Sequence, residues 1–269
     1  MLGKNVVVFA CVCLYYEPMD FHDFELKKGD KPLHFWYRAR LLLIRDLCER
    51  VFGKSEKQHR RMLDVGCGTG TELSLLASYG EVTALDVDGR ALAEAGKLGY
   101  QTVDGDIATM VPPAMKYDVV ACFDVLELIS DDRSAIRNIF SSLTPGGYFF
   151  ITVPAGQWLF SEHDAALLHQ RRYAKRELLN KLADAGFNIE YVRYWNSLLF
   201  PVVALVRLIK NMLGGMRKTA PVSETQARGG VIDAVLYHIL ALESTGCASR
   251  LCARIPFGLS LAIIARKPL

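Results

Sequence analysis

From Arg61 onward, short apolar runs alternate with stretches whose apolar residues recur every three or four positions. Met62–Val65, Glu81–Asp86, Gln101–Val103, Asp118–Phe123 and Tyr148–Val153 read as strands. Thr71–Tyr79, Arg90–Leu98 and Asp131–Leu143, between them, read as helices. Strand and helix in alternation predict a mostly parallel sheet covered on both faces. Thr69-x-x-Glu72 has the spacing of a capping box, and Ser130 is the expected N-cap of the helix at 131. Lys175–Ala185 is a further helix, with a Glu177–Lys181 pair and Gly186 as its C′ residue. Asn188–Tyr194 reads as a strand. The rhythm then changes. Two helical stretches, about 198–213 and 231–245, are joined by a Gly/Lys/Pro/Ser-rich link at 214–230. Phe257–Arg266 closes the chain as a strand. This divides the chain into four parts: an N-terminal segment and helix (1–60), an α/β core (61–194), a helical insertion (195–256) and a final core strand (257–269).

Composition narrows the class. In 269 residues, 51% are hydrophobic and 23% charged, enough to bury a core and too ordered a mix for wholesale disorder. The net charge of +3 gives no reason to expect a nucleic-acid partner. No apolar run is long enough for a membrane-spanning helix. Seven scattered cysteines without a CxxC pair argue against a disulfide framework and for a reducing, cytoplasmic setting. Residues 6–16 have the greasy character of a signal-peptide core, but no small-x-small site follows, so residues 1–18 carry no functional argument.

The most specific feature is LDVGCGTGTEL, residues 63–73. Asp64 ends a strand, Gly66, Gly68 and Gly70 follow at alternate positions, and a helix begins. Glycines here let backbone approach a ligand at the first strand-to-helix turn. The spacing is GxGxG rather than the dinucleotide GxGxxG, which disfavours a nicotinamide-dependent oxidoreductase. Asp86, at the end of the second strand, can accept two ribose hydroxyls. Asp106 can accept from an adenine amino group, with Ile107 against the ring.

LDVGCGTG, LDVD, DGDI, YDVVACFDVLELISDD and LTPGGYFFITVPA, in this order over residues 62–155, resemble the class I S-adenosylmethionine-dependent methyltransferases. The resemblance implies a Rossmann-like seven-stranded sheet whose last strand runs antiparallel, with helices on both faces, and S-adenosyl-L-methionine as cofactor. It implies that Asp64, Gly66 and Gly68, with Cys67 between them, lie by the methionine part. It places Asp86 and its neighbour Val87 by the ribose, Asp106 and Ile107 at the adenine, and Phe123 and Asp124 beside the methyl group. Many relatives carry His where this chain has Leu128. That departure leaves open a non-catalytic scaffold that only binds the cofactor.

The loop after the fifth strand, VPAGQWLFSEHDAALLHQRRYAKREL, faces the methyl in this architecture. His163 or His169 is the candidate base, with Asp164 fixing its tautomer. Arg172 and Tyr173 can bind an anionic or sugar group, and the catalytic set is His163, Asp164, His169 and Tyr173. The plainer reading makes this loop a structural lid. No standard metal-ligand spacing occurs, so no metal is expected. The helix beginning near residue 33 supplies His34, Trp36, Tyr37, Arg38 and Arg40. One of these arginines can pair with the cofactor carboxylate, with Arg38 taken as the cofactor-binding one, and Trp36 can wall the site.

Residues 196–269 hold nine basic residues against three acids, +6 against −3 for the rest of the chain. SLLFPVVALVRLIKNMLGGMRK joins an apolar segment to basic residues, which suits an interfacial helix over 198–218, a cap on the active site, or a helical pair packed on the sheet or on a second subunit. The expectation is therefore a methyltransferase acting on oxygen or nitrogen of an amphipathic acceptor, lipid-linked or glycosylated, peripheral at the inner face of a membrane and a candidate homodimer. A small soluble metabolite is the alternative acceptor.

Overall fold

The computed structural model describes residues 35–53, 59–111, 115–212 and 231–269, with the side chains of 162, 163, 210–212 and 246–248 outside the description. The leader-like segment 1–18, His34 and the whole link at 214–230 lie outside the described residues.

A seven-stranded sheet runs in the order β3-β2-β1-β4-β5-β7-β6. Its strands are β1 Arg61–Val65, β2 Glu81–Asp86, β3 Gln101–Asp104, β4 Tyr117–Phe123, β5 Leu143–Pro154, β6 Asn188–Trp195 and β7 Ser260–Arg266. The strands from β3 to β5 are parallel neighbours, and β7 lies antiparallel between β5 and β6. The central strands are buried on both faces, which is why β4 reads YDVVACF with almost no alternation. β3, at the edge, is polar and largely exposed.

Helix α1, Phe35–Phe52, covers one face of the sheet. Its buried residues Phe35, Ala39, Arg40, Leu43, Ile44, Leu47 and Cys48 fall at three- and four-residue intervals. Burying Leu43, Ile44 and Leu47 contributes about 1.5–3 kcal/mol each. The chain order continues with α2 Leu73–Leu76, α3 Gly89–Lys97, α4 Asp132–Ser142, α5 Glu162–Ala166 and α6 Lys175–Asp184. The opposite face of the sheet packs on α4 and α6. Between β6 and β7 come α7 Phe200–Met212, α8 Val231–Ser244 and α9 Gly246–Cys252. α8 packs against α1, so one of the helices inserted between the last two strands and the helix before the sheet form one layer.

Several local expectations shift. The capping box at Thr69 does not form: Thr69 pairs with the Thr71 hydroxyl, and Glu72 turns to Arg40 instead. The helix there shrinks to one turn, starting after Gly70, whose φ of +73° ends the loop. Asp131, not Ser130, caps α4, accepting from the Ser134 amide at 3.0 Å. Gly186 does take the left-handed C′ conformation, and Glu177 pairs with Lys181 at 2.8 Å. α9 was not legible, because GCASRLC is too short to show a period.

Candidate active site

The glycine loop leaves β1 at the end of the sheet where β2 and β4 also terminate. Gly66 has φ +73° and sits so close to Val125 that a Cβ would come within 2.4 Å of that side chain. Only glycine fits, so the loop is held against the turn after β4. The Gly68 amide donates to Asp86 at 2.9 Å, and the Asp88 amide donates to the other carboxylate oxygen at 3.0 Å. Asp86 therefore organises the loop while remaining only partly buried. Val87 beside it is 70% exposed, an apolar surface open for a ring.

Asp64 is buried, and its Oδ2 has no hydrogen-bond partner among the described residues. Burial raises its carboxyl to about 7; Arg40 pulls it down and Asp86 pushes it further up. An orphaned acid beside a glycine loop is a site prepared for a cation or donor that the protein itself does not provide. Cys67, by contrast, is a core residue whose thiol burial pushes up to about 12.

Arg40 is the cation at the centre of this site. It is buried, bonds Glu72 and Asp124 (2.7 Å to the latter), and lies over the Trp36 ring at 4.8 Å. Arg38, two residues earlier on α1, falls on another flank, where it faces Asp233 at 3.8 Å and stacks over Tyr237 at 4.0 Å. Arg38 thus ties α1 to α8 instead of serving the cofactor as sequence suggests, because the packing of α8 takes it up, and it is Arg40 that lies beside Glu72 and Asp124. Trp36 lies between Arg40 and Trp195 and stays with the site.

Phe123 and Asp124 stand at the end of β4. Asp124 has φ +58°, a left-handed conformation that aspartate tolerates, and presents a partly exposed carboxylate to Arg40. Asp106 turns its carboxylate to the Ala108 amide at 2.8 Å. Ile107 departs from expectation: its side chain lies in the core on the α4 face, leaving only its backbone for a ligand.

The loop after β5 brings some of its residues together and buries others in structural roles. Asp164 is fully buried, bonded to Arg172, to the Ser161 amide and hydroxyl, and to Arg207 of α7 at 3.2 Å. Against the cost of burial, the nearby His169 ring and the bonded Arg172 hold its carboxyl well below the usual range. Tyr173 is fully buried, donating to Asp132 at 2.7 Å, with Leu126 O at 3.1 Å. Burial and Asp132 push its phenol far above the usual range. Tyr173 has no free face for an acceptor, so it acts as an anchor and not as the catalytic group that sequence suggests, while Asp164 faces the site only through the His169 ring beside it. The side chain of His163 lies outside the described residues. His169 remains, with 11% of its side chain exposed, Nδ1 3.4 Å from Asp164 and Nε2 3.9 Å from Glu127. Glu127 carries no signal in the sequence beyond its place in DVLELI. Only its orphaned, buried carboxyl marks it. Leu128 offers its carbonyl to Gln170. Among the described residues no group of three His, Cys, Asp or Glu is placed to hold a metal.

A methyltransferase-domain family model matches residues 35–192, more than half of the chain. The chain belongs to the methyltransferase-domain family. S-adenosylmethionine is its cofactor, and the dinucleotide alternative falls. The ubiquinone biosynthesis O-methyltransferase of Aeromonas salmonicida is 34% identical over 131 residues, 45% of this chain and 52% of that protein. The chain spans about half the length of the curated relatives it matches. In fold it resembles an S-adenosylmethionine-dependent methyltransferase from Mesorhizobium loti, with a TM-score of 0.52 and 17% identity over 86% of this chain and 97% of that one. It also resembles phosphoethanolamine N-methyltransferase 2 of Haemonchus contortus in complex with S-adenosyl-L-methionine, with a TM-score of 0.55 and 18% identity over 87% of this chain and 57% of that one.

The residues present fit that cofactor. The orphaned Asp64 carboxyl suits its ammonium, Arg40 its carboxylate, Asp86 its ribose, and the exposed Val87 with Asp106 its adenine. No helix among the described residues is long and apolar enough to cross a membrane.

Proposed function

We propose that this protein methylates a hydroxyl oxygen of an amphipathic, ring-bearing acceptor. When bound, the cofactor supplies an electrophilic methyl whose bond to sulfur breaks, leaving the electron pair on sulfur, as the acceptor oxygen bonds to carbon. The protein's part is to hold both partners in line and to take the acceptor's proton. Arg40 exchanges Glu72 and Asp124 for the cofactor carboxylate, and Asp124 then borders the reacting centre. His169 is the proton acceptor. Asp164 orients it from behind, and Arg172 holds Asp164 in turn.

The observation that carries the acceptor assignment is the apolar surface beside this loop. Trp158, Phe200 and Phe257 form a contiguous aromatic cluster, with ring centroids 6.0 and 5.1 Å apart. Leu205, Leu208 and Ile209 of α7 are exposed near it. Arg207 does not join that surface: it turns inward to Leu159 O and Asp164, fastening α7 to the loop that bears His169. An apolar surface of this kind suits a lipid-borne acceptor. The names of the relatives, which are ubiquinone biosynthesis O-methyltransferases, point the same way. A purified sample incubated with S-adenosylmethionine and a short-chain prenylated catechol should give a product heavier by one methyl on oxygen. Methylation of a water-soluble catechol with equal kcat/KM would overturn the amphipathic assignment.

A further inference from the structure

Glu127 lies in the one-turn helix Leu126–Leu128 that follows β4. It is 0% exposed, and neither carboxyl oxygen has a hydrogen-bond partner among the described residues. A buried acid left unbonded costs free energy, so it is retained for a reason other than stability. The loop after β5 is fastened to this turn. The Gln170 amide donates to Glu127 O at 2.9 Å and its side chain to Leu128 O at 2.8 Å. Between them stands His169, with Nε2 3.9 Å from the Glu127 carboxyl and Nδ1 3.4 Å from Asp164. Both separations exceed a closed hydrogen bond, so the ring has room to move between two carboxyls. The backbone is strained to put it there: Leu168, just before it, has φ +60°, a conformation that a bulky residue rarely adopts.

We propose that Glu127 is the positioning residue of His169, and that the two hold one proton in common when they take up the acceptor's hydroxyl proton. This rests on His169 being the proton acceptor. In the active form the pair carries no shared proton. The acceptor's O–H bond breaks, its electron pair stays on oxygen for the new C–O bond, and the proton goes to imidazole Nε2. The Glu127 carboxylate neutralises the imidazolium, and the proton leaves to solvent with the product.

The groups around Glu127 favour such storage. Burial raises its carboxyl well above the usual range, Asp124 adds to this, and Arg172 and Arg40 oppose it. Cys122 of β4 stays a neutral thiol, and the Tyr173 phenol stays protonated. Asp164 stays ionised on the far side of the ring.

The test follows the purified full chain by NMR, with 15N in the histidine rings and 13C in the glutamate carboxyls. In the wild type, the His169 and Glu127 signals should titrate with shared midpoints. In Glu127→Gln the His169 midpoint should fall by about half a pH unit or more. With prenylated catechol and S-adenosylmethionine, Glu127→Gln should lower kcat at least tenfold and move the acidic limb of the pH profile down, with cofactor Kd unchanged. An unmoved His169 midpoint, or independent titrations in the wild type (which needs no variant), would overturn the pairing. If the shared titration holds but His169→Gln keeps full turnover, His169 is not the proton acceptor, and the pair's part in the reaction falls with it.

Discussion

Replacing Asp64 with asparagine removes the one buried acid of the cofactor site that lacks a partner. Its carboxyl titrates near 7 in the folded chain against 3.8 for the free group. The raised value sets the sign. Between pH 4 and 7 the unfolded chain has lost this proton while the folded chain still holds it, so stability falls as pH rises through that window. Above pH 7 the full difference is felt, at most about 4 kcal/mol and less after local relaxation. Asp64→Asn abolishes this penalty. Thermal melts without cofactor should therefore show wild type and variant nearly alike at pH 4, with the variant pulling ahead as pH rises. At pH 8 the variant should be more stable by about 1–3 kcal/mol, a rise of several degrees in Tm. Cofactor affinity should move the other way, weakening by tenfold or more in the variant, because the ammonium loses its counter-charge. A Tm difference that stays constant from pH 5 to pH 8 would refute the reasoning, since a packing change has no such pH dependence.

Other substitutions separate the remaining roles. Asp86→Ala should weaken S-adenosylmethionine binding at least tenfold by calorimetry, because the Gly68 and Asp88 amides and the ribose lose one acceptor together. Asp164→Ala should destabilise the fold by about 3–5 kcal/mol in denaturant melts, since it leaves the buried Arg172 without its partner. Tyr173→Phe should cost about 1–3 kcal/mol of stability, for the lost bonds to Asp132 and Leu126 O, with kcat nearly unchanged. A hundredfold loss of kcat at full stability would restore Tyr173 to the reaction.

The sheet was legible because its central strands are short apolar runs, and buried parallel strands need little more. The cofactor end of the site was legible for the same reason. Asp64, Gly66, Gly68 and Asp86 are tied to strand ends, where position along the chain fixes position in space. The acceptor end was not. Asp164 and Tyr173 have catalytic side chains, and only burial reveals that Arg172 and Asp132 take them up. Arg38 and Arg40 are indistinguishable in sequence until α8 packs on one flank of α1 and the glycine loop on another. Glu127 and His169 are 42 residues apart in number and meet only because Gln170 fastens the loop to the turn after β4.

The measurement that bears most directly on the account is transfer of labelled methyl from S-adenosylmethionine to a whole-cell extract by the purified protein, with products divided between organic and aqueous phases. Label should appear in the organic phase, on oxygen, with the amount reduced when His169 is replaced by glutamine. Label confined to the aqueous phase, or transfer indifferent to His169, would contradict it.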